Sequence, residues 1–252
     1  MDPDIANCLL DLNHQFYQTF AHSFSATRQR LQPGVRRIVE QTPVQSNILD
    51  LGCGNGELWR ALAYKGYRGA YIGLDFSSIL LEIAASKSDL PVRKADTAIS
   101  DPPQAIFIQA DLSRPDWYRE VSKPPFEIVL AFAVLHHLPG YDLRLQTLHQ
   151  VSRLLIPGGR FIHSEWQFLN SSRLRARIQP WEAIGLSESQ VEPGDYLLDW
   201  RRGGYGLRYV HHFSETELAR LAQEGGFLVR ESFSSDGEGM NLGLYQVWEL
   251  KW

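Results

Sequence analysis

The sequence predicts an α/β fold: a doubly wound, seven-stranded and mostly parallel sheet with N-terminal helices and an inserted lid. Short apolar segments typical of strands alternate with helical segments along most of the chain. A glycine cluster at 52–56 separates the first predicted strand from the helix after it. The last two strand-like segments have no helix between them, which predicts an antiparallel pair at one edge of the sheet.

Each element is predicted from its own pattern. Apolar residues recur at helical spacing from Leu9 to Phe20, and a second helical segment runs from about 26 to 40. The seven strands are expected at 47–51, 70–75, 105–110, 126–132, 160–164, 227–233 and 242–250. The later helices are expected at 56–65, 78–86, 143–155 and 214–224. Pro157-Gly158-Gly159 should stop the helix at 143–155, and the capping box at 214–217 should begin the last helix.

Four regions follow from these elements. They are an N-terminal helical cap (1–45), a ligand-binding core (46–166), a substrate-lid insertion (167–207) and a C-terminal return to the core (208–252). We expect the insertion over the carboxyl ends of the strands, where open α/β sheets bind ligands. The loosely organised stretches are 88–104 and 186–206.

The composition excludes several classes of protein. The 252 residues are 44% hydrophobic, which is enough for a large core. A balance of 25 basic against 29 acidic residues argues against a highly cationic nucleic-acid binder. Cys8 and Cys53 are too few for a disulfide framework or a zinc site, which favours a reducing cytoplasm and no metal. No apolar run is long enough for a membrane span, and the first residues lack a signal-peptide core.

The strongest local signal is the run Asp50-Leu51-Gly52-Cys53-Gly54-Asn55-Gly56, between a strand and a helix. Glycines here let the backbone turn sharply and approach a ligand closely. A dinucleotide fingerprint would need glycine at 57, where the chain has Glu57, so a nicotinamide oxidoreductase is disfavoured. The alternative interpretation is a tight turn that binds nothing.

Carboxylates end the next two predicted strands. Asp75 can accept both hydroxyls of a ribose; the alternative is a cap for the following helix, which Ser77 can itself provide. Asp111 can accept from an adenine amino group beside the N–H of Leu112; the alternative is a turn aspartate. Because a chance glycine turn would not predict the two carboxylates, the three features together indicate a nucleoside-containing ligand.

These segments resemble the class I S-adenosylmethionine (SAM)-dependent methyltransferases, over about residues 45–165. The resemblance implies a Rossmann-like methyltransferase fold and SAM as cofactor. It places the glycine loop beside the methionine part of SAM, Phe76 against the adenine, and Ala131-Phe132 near the methyl group. The cofactor-binding residues that we expect are Tyr17, Arg28, Asp50, Gly52, Cys53, Gly54, Gly56, Asp75, Phe76, Ser77, Ala110, Asp111, Leu112, Ala131 and Phe132.

A narrower resemblance involves segments 16–28, 133–137 and 208–218, which are similar to the eukaryotic wobble-uridine tRNA methyltransferases. Those enzymes make a methyl ester on a carboxymethylated uridine, so the resemblance implies tRNA as substrate. The family's functional positions fall on Tyr17, Arg28, His137, Arg208, Tyr209 and His211. The basic insert of the yeast-type enzymes is missing, and 236–244 does not closely match the family's ending. A small activator subunit is a further candidate partner.

The acceptor determines which catalytic groups are needed. A carboxylate has a reference pKa of about 4, so at neutral pH it needs orientation and no base. A phenol or alcohol would need a base, for which histidine is the usual residue. We expect His137 on the substrate side with His136 structural, and expect Arg208 and His211 in the catalytic set; the alternative is that both 136 and 137 are ordinary helix-start residues. Besides tRNA, a small-molecule acceptor and a non-catalytic SAM-binding protein remain as alternatives.

Aromatic residues around the insertion allow two interpretations. They are Trp166, Trp181, Trp200 and Tyr205. They can stack on a flat substrate such as a base, or they can form the core of the lid. Arg28 is expected to neutralise the carboxylate of SAM, against the alternative of a surface arginine.

Overall fold

The computed structural model describes residues 1–87, 105–121 and 125–251. The ten strands among them are β1 (Ile48–Leu51), β2 (Tyr71–Asp75), β3 (Ala105–Gln109), β4 (Phe126–Phe132), β5 (Leu155–Trp166), β6 (Ile178–Gln179), β7 (Asp195–Trp200), β8 (Gly206–His211), β9 (Phe227–Ser235) and β10 (Gly243–Leu250). The α-helices are α1 (Pro3–Ala26), α2 (Pro33–Gln41), α3 (Glu57–Tyr64), α4 (Ser78–Lys87), α5 (Tyr141–Leu154), α6 (Ser172–Arg175) and α7 (Glu215–Glu224). None of the described helices has the length and apolarity of a membrane span.

The main layer is a seven-stranded sheet in the order β3-β2-β1-β4-β5-β10-β9. The first five strands are parallel, and β10 runs antiparallel to both β5 and β9. This confirms the predicted fold, including the antiparallel pair at one edge. The strand order reverses between β1 and β4, and such a reversal opens a ligand-binding crevice at the carboxyl ends of the strands.

Hydrophobic residues cover both faces of this sheet. One buried cluster includes Leu49, Val129 and Phe161, and a second includes Ile48, Tyr71 and Ile162. Successive residues of a strand point to opposite faces, so β1 can supply Ile48 to one cluster and Leu49 to the other. Burial on both faces explains why every residue of β1 and β2 is buried, with no alternation of buried and exposed positions.

The N-terminal helices differ from the prediction. α1 is one helix through Ala26, and α2 begins at Pro33, so the predicted start of the second helix near 26 is wrong. Proline has no N–H to donate and has a fixed φ, so it is tolerated in the first turn of a helix and disrupts its interior. Pro33 therefore sets where α2 begins.

The turn at 157–159 also differs from the prediction. α5 ends at Leu154 and β5 begins directly at Leu155, so the proline–glycine segment lies within the range of β5. The register with β4 shifts between Phe126 and Ile128, and Gly158 has a φ of +73°. Because this irregularity absorbs the extra residues, the chain resumes regular pairing with β4 at Arg160.

The insertion contains its own sheet, which the sequence did not predict. The order is β6-β7-β8, and β8 pairs with β7 along its whole length to His211, beyond the predicted end of the insertion at 207. Of the two stretches predicted to be loosely organised, 186–206 thus includes β7. The other, 88–104, lies outside the described residues. Leu197 and Tyr209 of this sheet are fully buried with Leu9 of α1, which holds the small sheet against the N-terminal helix.

Candidate functional site

A cavity of about 570 Å³ lies at the carboxyl ends of the central strands, between α1 and β8. Its size is in the range of cofactor and substrate pockets. The predicted site residues that line it are Tyr17, Arg28, Asp50, Gly52, Cys53, Gly54, Asp75, Phe76, Ala110, Asp111, Leu112, Phe132, His137 and Arg208. Four of the predicted residues do not line the cavity: Gly56, Ser77, Ala131 and His211.

The glycine loop gives the cavity a wall of bare backbone. Gly52 and Gly54 have φ values of +67° and +54°, a region that favours glycine. A side chain on Gly52 would lie 2.6 Å from Val134, whereas the space beside Gly54 is open. A ligand can therefore approach the backbone at Gly54 closely. Gly56 has a different role, because it is the N-cap of α3 and packs against Ala84.

Asp75 is the last residue of β2, and each of its carboxylate oxygens accepts a hydrogen bond from a backbone N–H. Oδ2 accepts from the N–H of Gly54 and Oδ1 from the N–H of Ser77, each at 2.9 Å. Burial raises the pKa of Asp75 to about 6, although these hydrogen bonds oppose the rise. Ser77 caps α4, since its hydroxyl accepts from the N–H of Leu80 at 3.3 Å. Asp75 is thus positioned next to the glycine loop and presents its remaining lone pairs to the cavity.

Asp111 follows β3 and has a partner that the sequence did not indicate. Its Oδ1 accepts from the N–H and the hydroxyl of Ser113 at 2.9 and 2.7 Å. Its Oδ2 lies 3.4 Å from Nε2 of His14, a residue of α1. Burial acts to raise the pKa of Asp111, but the hydrogen bonds from His14 and Ser113 outweigh burial and lower the pKa to about 2. The carboxylate is therefore ionised at neutral pH.

His137 lies in the short turn after β4, with both ring nitrogens engaged. Nε2 is 2.8 Å from the hydroxyl of Tyr17, and Nδ1 is 3.2 Å from the carbonyl oxygen of Tyr209. Burial and the nearby Arg208 guanidinium lower the pKa of His137 to about 3, so the ring is neutral. A carbonyl can only accept, so Nδ1 carries the proton and Nε2 accepts from Tyr17. His137 thereby orients the Tyr17 hydroxyl at the cavity wall.

Arg208 is a buried cation that has no carboxylate partner in the part of the chain that the structure describes. Only 7% of it is exposed, and burial lowers the pKa of its guanidinium. Its charged group lies 4.9 Å from the ring centre of Trp166, 5.4 Å from Phe16 and 5.8 Å from Trp200. The ion pairs of the described residues do not include Arg208, and its buried Nε has no hydrogen-bond partner among them. Since an unpaired buried charge is costly, the arrangement favours an anionic ligand in the cavity.

A second polar chain reaches the cavity through His136 and Glu165, which both line it. Nδ1 of His136 is 3.0 Å from one oxygen of Glu165, and the other oxygen is 2.9 Å from Nδ1 of His163. Burial raises the pKa of Glu165 and lowers those of both histidines. Glu165 and His163 were not predicted from the sequence, although their i, i+2 spacing on one strand places them on the same face.

His211, which the sequence placed in the catalytic set, does not line the cavity. Its Nδ1 is 2.7 Å from Asp195, and its Nε2 is 2.9 Å from Glu217. The reason is geometric: Arg208 and His211 are three residues apart on one strand, so their side chains point to opposite faces of the small sheet. We therefore assign His211 to the packing of the small sheet and not to contact with an acceptor.

The residues that form the floor of the cavity lie one position later in the chain than predicted. Ala131 is fully buried within β4, whereas Phe132 and Ala133 line the cavity. Ala133 has a φ of +58°, which is unusual for a residue other than glycine, and its N–H donates to Ser164. Strained backbone of this kind is often found at functional sites. Among the described residues no cluster could hold a metal ion.

A mostly parallel sheet in this order, with a glycine loop and two strand-end carboxylates at its crevice, has the architecture of the SAM-dependent methyltransferase fold. A SAM-dependent methyltransferase of Methanosarcina mazei has the same fold, with a TM-score of 0.63, 23% identity, and 88% of this chain and 98% of that chain covered. Residues 23–232 match the family model of a methyltransferase domain, and the chain belongs to this family. SAM is its cofactor.

Two relatives have more specific names. The tRNA (carboxymethyluridine(34)-5-O)-methyltransferase of Schizosaccharomyces pombe is 26% identical, over 88% of this chain and 92% of that protein. The enzyme of the same name from Arabidopsis thaliana is 30% identical, over 84% of this chain and 46% of that protein. The chain thus spans almost all of one relative and about half of the other.

Proposed function

We propose that this chain methylates the carboxylate of a carboxymethylated wobble uridine in tRNA and forms a methyl ester. The observation that carries the proposal is Arg208, a buried guanidinium that lines the cavity without a carboxylate partner among the described residues. An acceptor carboxylate would supply the missing charge. The names of the two tRNA methyltransferase relatives support the same acceptor.

The reaction requires the protein mainly to position the acceptor carboxylate and the methyl donor. An acceptor carboxylate is ionised at neutral pH, and one of its oxygens attacks the methyl carbon of the sulfonium donor. The new C–O bond forms as the S–CH3 bond breaks, S-adenosylhomocysteine (SAH) leaves, and no proton is transferred. Arg208 would bind the carboxylate in line with the methyl group. The Tyr17 hydroxyl donates its one proton to His137 at 2.8 Å, so the Tyr17 ring would border the acceptor without donating to it.

The donor would lie along the strand ends. In this proposal Gly52 and Gly54 border the methionine part of SAM, Asp75 binds the ribose, and Asp111 with Phe76 receives the adenine. Arg28, which lines the same cavity, would pair with the carboxylate of the methionine part. The donor SAM supplies the electrophilic methyl group, and these residues of the chain hold it in place.

A small-metabolite methyltransferase is the second candidate. The net charge of −4 favours it, because phosphate contacts dominate tRNA binding and call for cations. The deciding experiment is methyl transfer from labelled SAM into bulk tRNA, beside a small-molecule extract of the same cells. Label in tRNA that alkali releases as methanol would support the ester. Label in the extract alone would refute the tRNA proposal and leave the SAM-dependent fold intact.

Arg208→Ala should lower kcat/KM for a carboxylate acceptor by about thirtyfold or more, since truncating one partner of a buried charge pair costs about 2–5 kcal/mol. Arg208→Lys should recover only part of this loss, because lysine lacks the planar fork. The affinity for SAH, measured by calorimetry, should change little.

The matched control is Arg68→Ala, an exposed arginine just before β2, at the opposite edge of the sheet from the cavity. Activity of Arg68→Ala should equal that of the wild type. An Arg208→Ala enzyme with activity within threefold of this control would refute the role of Arg208.

His137→Ala should lower kcat by roughly tenfold to a hundredfold while SAH affinity changes less, because the Tyr17 hydroxyl loses its fixed acceptor. Single-turnover kinetics with labelled SAM and calorimetry with SAH measure the two quantities. His149→Ala, an exposed histidine on α5, is the control. Equal turnover of the two variants would make His137 a structural residue.

A further inference from the structure

We propose that His14 is a further cofactor-binding residue, whose imidazole covers the adenine and shares Asp111 with the adenine amino group. The inference rests on the placement of adenine between Phe76 and Asp111 proposed above. His14 comes from α1, far in sequence from every strand end, and nothing in the glycine-loop pattern predicts it.

The position of His14 relative to Asp111 is the first support. Ser113 already engages Oδ1 of Asp111 through both its N–H and its hydroxyl. Oδ2 is the oxygen left to accept from a ligand, and it is this oxygen that lies 3.4 Å from Nε2 of His14. A carboxylate oxygen has two lone pairs, so Oδ2 can accept from His14 and from an adenine amino group together.

The position of His14 relative to Phe76 is the second support. The two ring centres are 4.7 Å apart, with the planes inclined by 40°. Both residues line the cavity, as does Asp111. The contacting rings of His14 and Phe76 and the acceptor Asp111 therefore lie side by side on the cavity wall, which suits a flat heterocycle that packs against them and carries an amino donor.

The adjacent residue fixes α1 at this point. Asn13 is 3% exposed, and its amide donates to the carbonyl oxygens of His137 and Tyr209 at 3.3 and 3.2 Å. Its Oδ1 accepts from the N–H of Tyr209 at 2.9 Å. Because Asn13 is clamped in this way, the backbone at His14 is held over the cavity and the side chain needs little further ordering to bind.

The charges around His14 favour its interaction with Asp111. The pKa of His14 is raised, and its hydrogen bond to Asp111 is the largest cause. The Asp11 carboxylate adds to the rise, whereas burial and the Arg114 guanidinium oppose it. His14 is 32% exposed at its side chain and Asp111 26%, so the pair is accessible to a ligand.

The test is calorimetric binding of SAH to the full chain, with no acceptor present. His14→Ala should bind SAH about tenfold more weakly than the wild type, as expected for the loss of one hydrogen bond and a ring contact. His14→Gln retains a donor and should recover part of the affinity. Gln15→Ala, the exposed neighbour on α1, is the control and should bind as the wild type does.

A second ligand distinguishes a role of His14 in recognising the adenine amino group from a role in supporting the fold. S-inosylhomocysteine carries a carbonyl in place of the adenine amino group, and the wild type should prefer SAH over it more strongly than His14→Ala does. Affinity of His14→Ala within twofold of the wild type would overturn the proposal, as would an unchanged preference. If His14→Ala does not fold, the same criteria apply to His14→Gln. Because no tRNA is used, failure here is distinct from failure of the tRNA proposal.

Discussion

Asp75→Ala should weaken SAH binding by at least about a hundredfold, since each hydrogen bond to a charged group contributes about 1.5–3 kcal/mol and a ribose offers two. The loss has a second cause. The Asp75 carboxylate also accepts from the N–H of Gly54, so its removal frees the loop that should border the ligand. Calorimetry with SAH measures the affinity, and circular dichroism verifies the fold.

The controls separate these two causes. Asp75→Asn retains one acceptor oxygen and should bind SAH with intermediate affinity. Asp116→Ala, an exposed aspartate before β4, should bind as the wild type does. An unchanged affinity of a folded Asp75→Ala would disprove the ribose assignment.

Arg144→Ala should lower the free energy of unfolding by about 3–5 kcal/mol, the cost of breaking a buried ion pair. The Arg144 side chain is fully buried on α5 and lies 3.1 Å from Glu217 and 3.5 Å from Asp195. It also donates to the carbonyl oxygen of Leu138 at 2.9 Å and to the Tyr209 hydroxyl at 3.0 Å. Its removal leaves the buried Asp195 carboxylate and the half-buried Glu217 short of a cation and removes contacts between α5 and the small sheet. Urea denaturation measures the change.

Arg153→Ala on the same helix is the control, because Arg153 is exposed and its removal should change stability by less than about 0.5 kcal/mol. Arg144→Lys keeps the charge but cannot make all of these contacts, so its stability should lie between the two. A loss below about 1 kcal/mol for Arg144→Ala would show that the network contributes little.

The sequence predicted the main sheet well because its signals are local. Each strand is a short apolar run, and Asp75 and Asp111 directly follow or end such runs. Parallel strands bring their carboxyl ends to one edge, so residues 36 apart in sequence could be placed in one cavity without a structure. The same reasoning located Gly52 and Gly54.

The small sheet and the α1 contacts could not be predicted in this way. Arg208 and Arg144 belong to a residue type that is usually exposed, and their burial depends on aromatic rings and carboxylates from distant segments. His14 and Asp111 are 97 residues apart in sequence, and their proximity follows from how α1 packs on β8 and not from any local pattern. His211 was misplaced because a motif gives spacing along the chain but not which face of a strand a side chain occupies.

The cation proposed to bind the acceptor and the groups proposed to bind the donor belong to different sheets. Arg208 stands on β8 of the three-stranded sheet, whereas Asp75 and the glycine loop stand at the ends of β2 and β1 of the seven-stranded sheet. We infer that changes within segment 172–211 can alter the acceptor while the strand ends that would hold the methyl donor stay in place. A chimera that carries this segment from another family member should inherit the acceptor preference of its source and keep its own donor affinity.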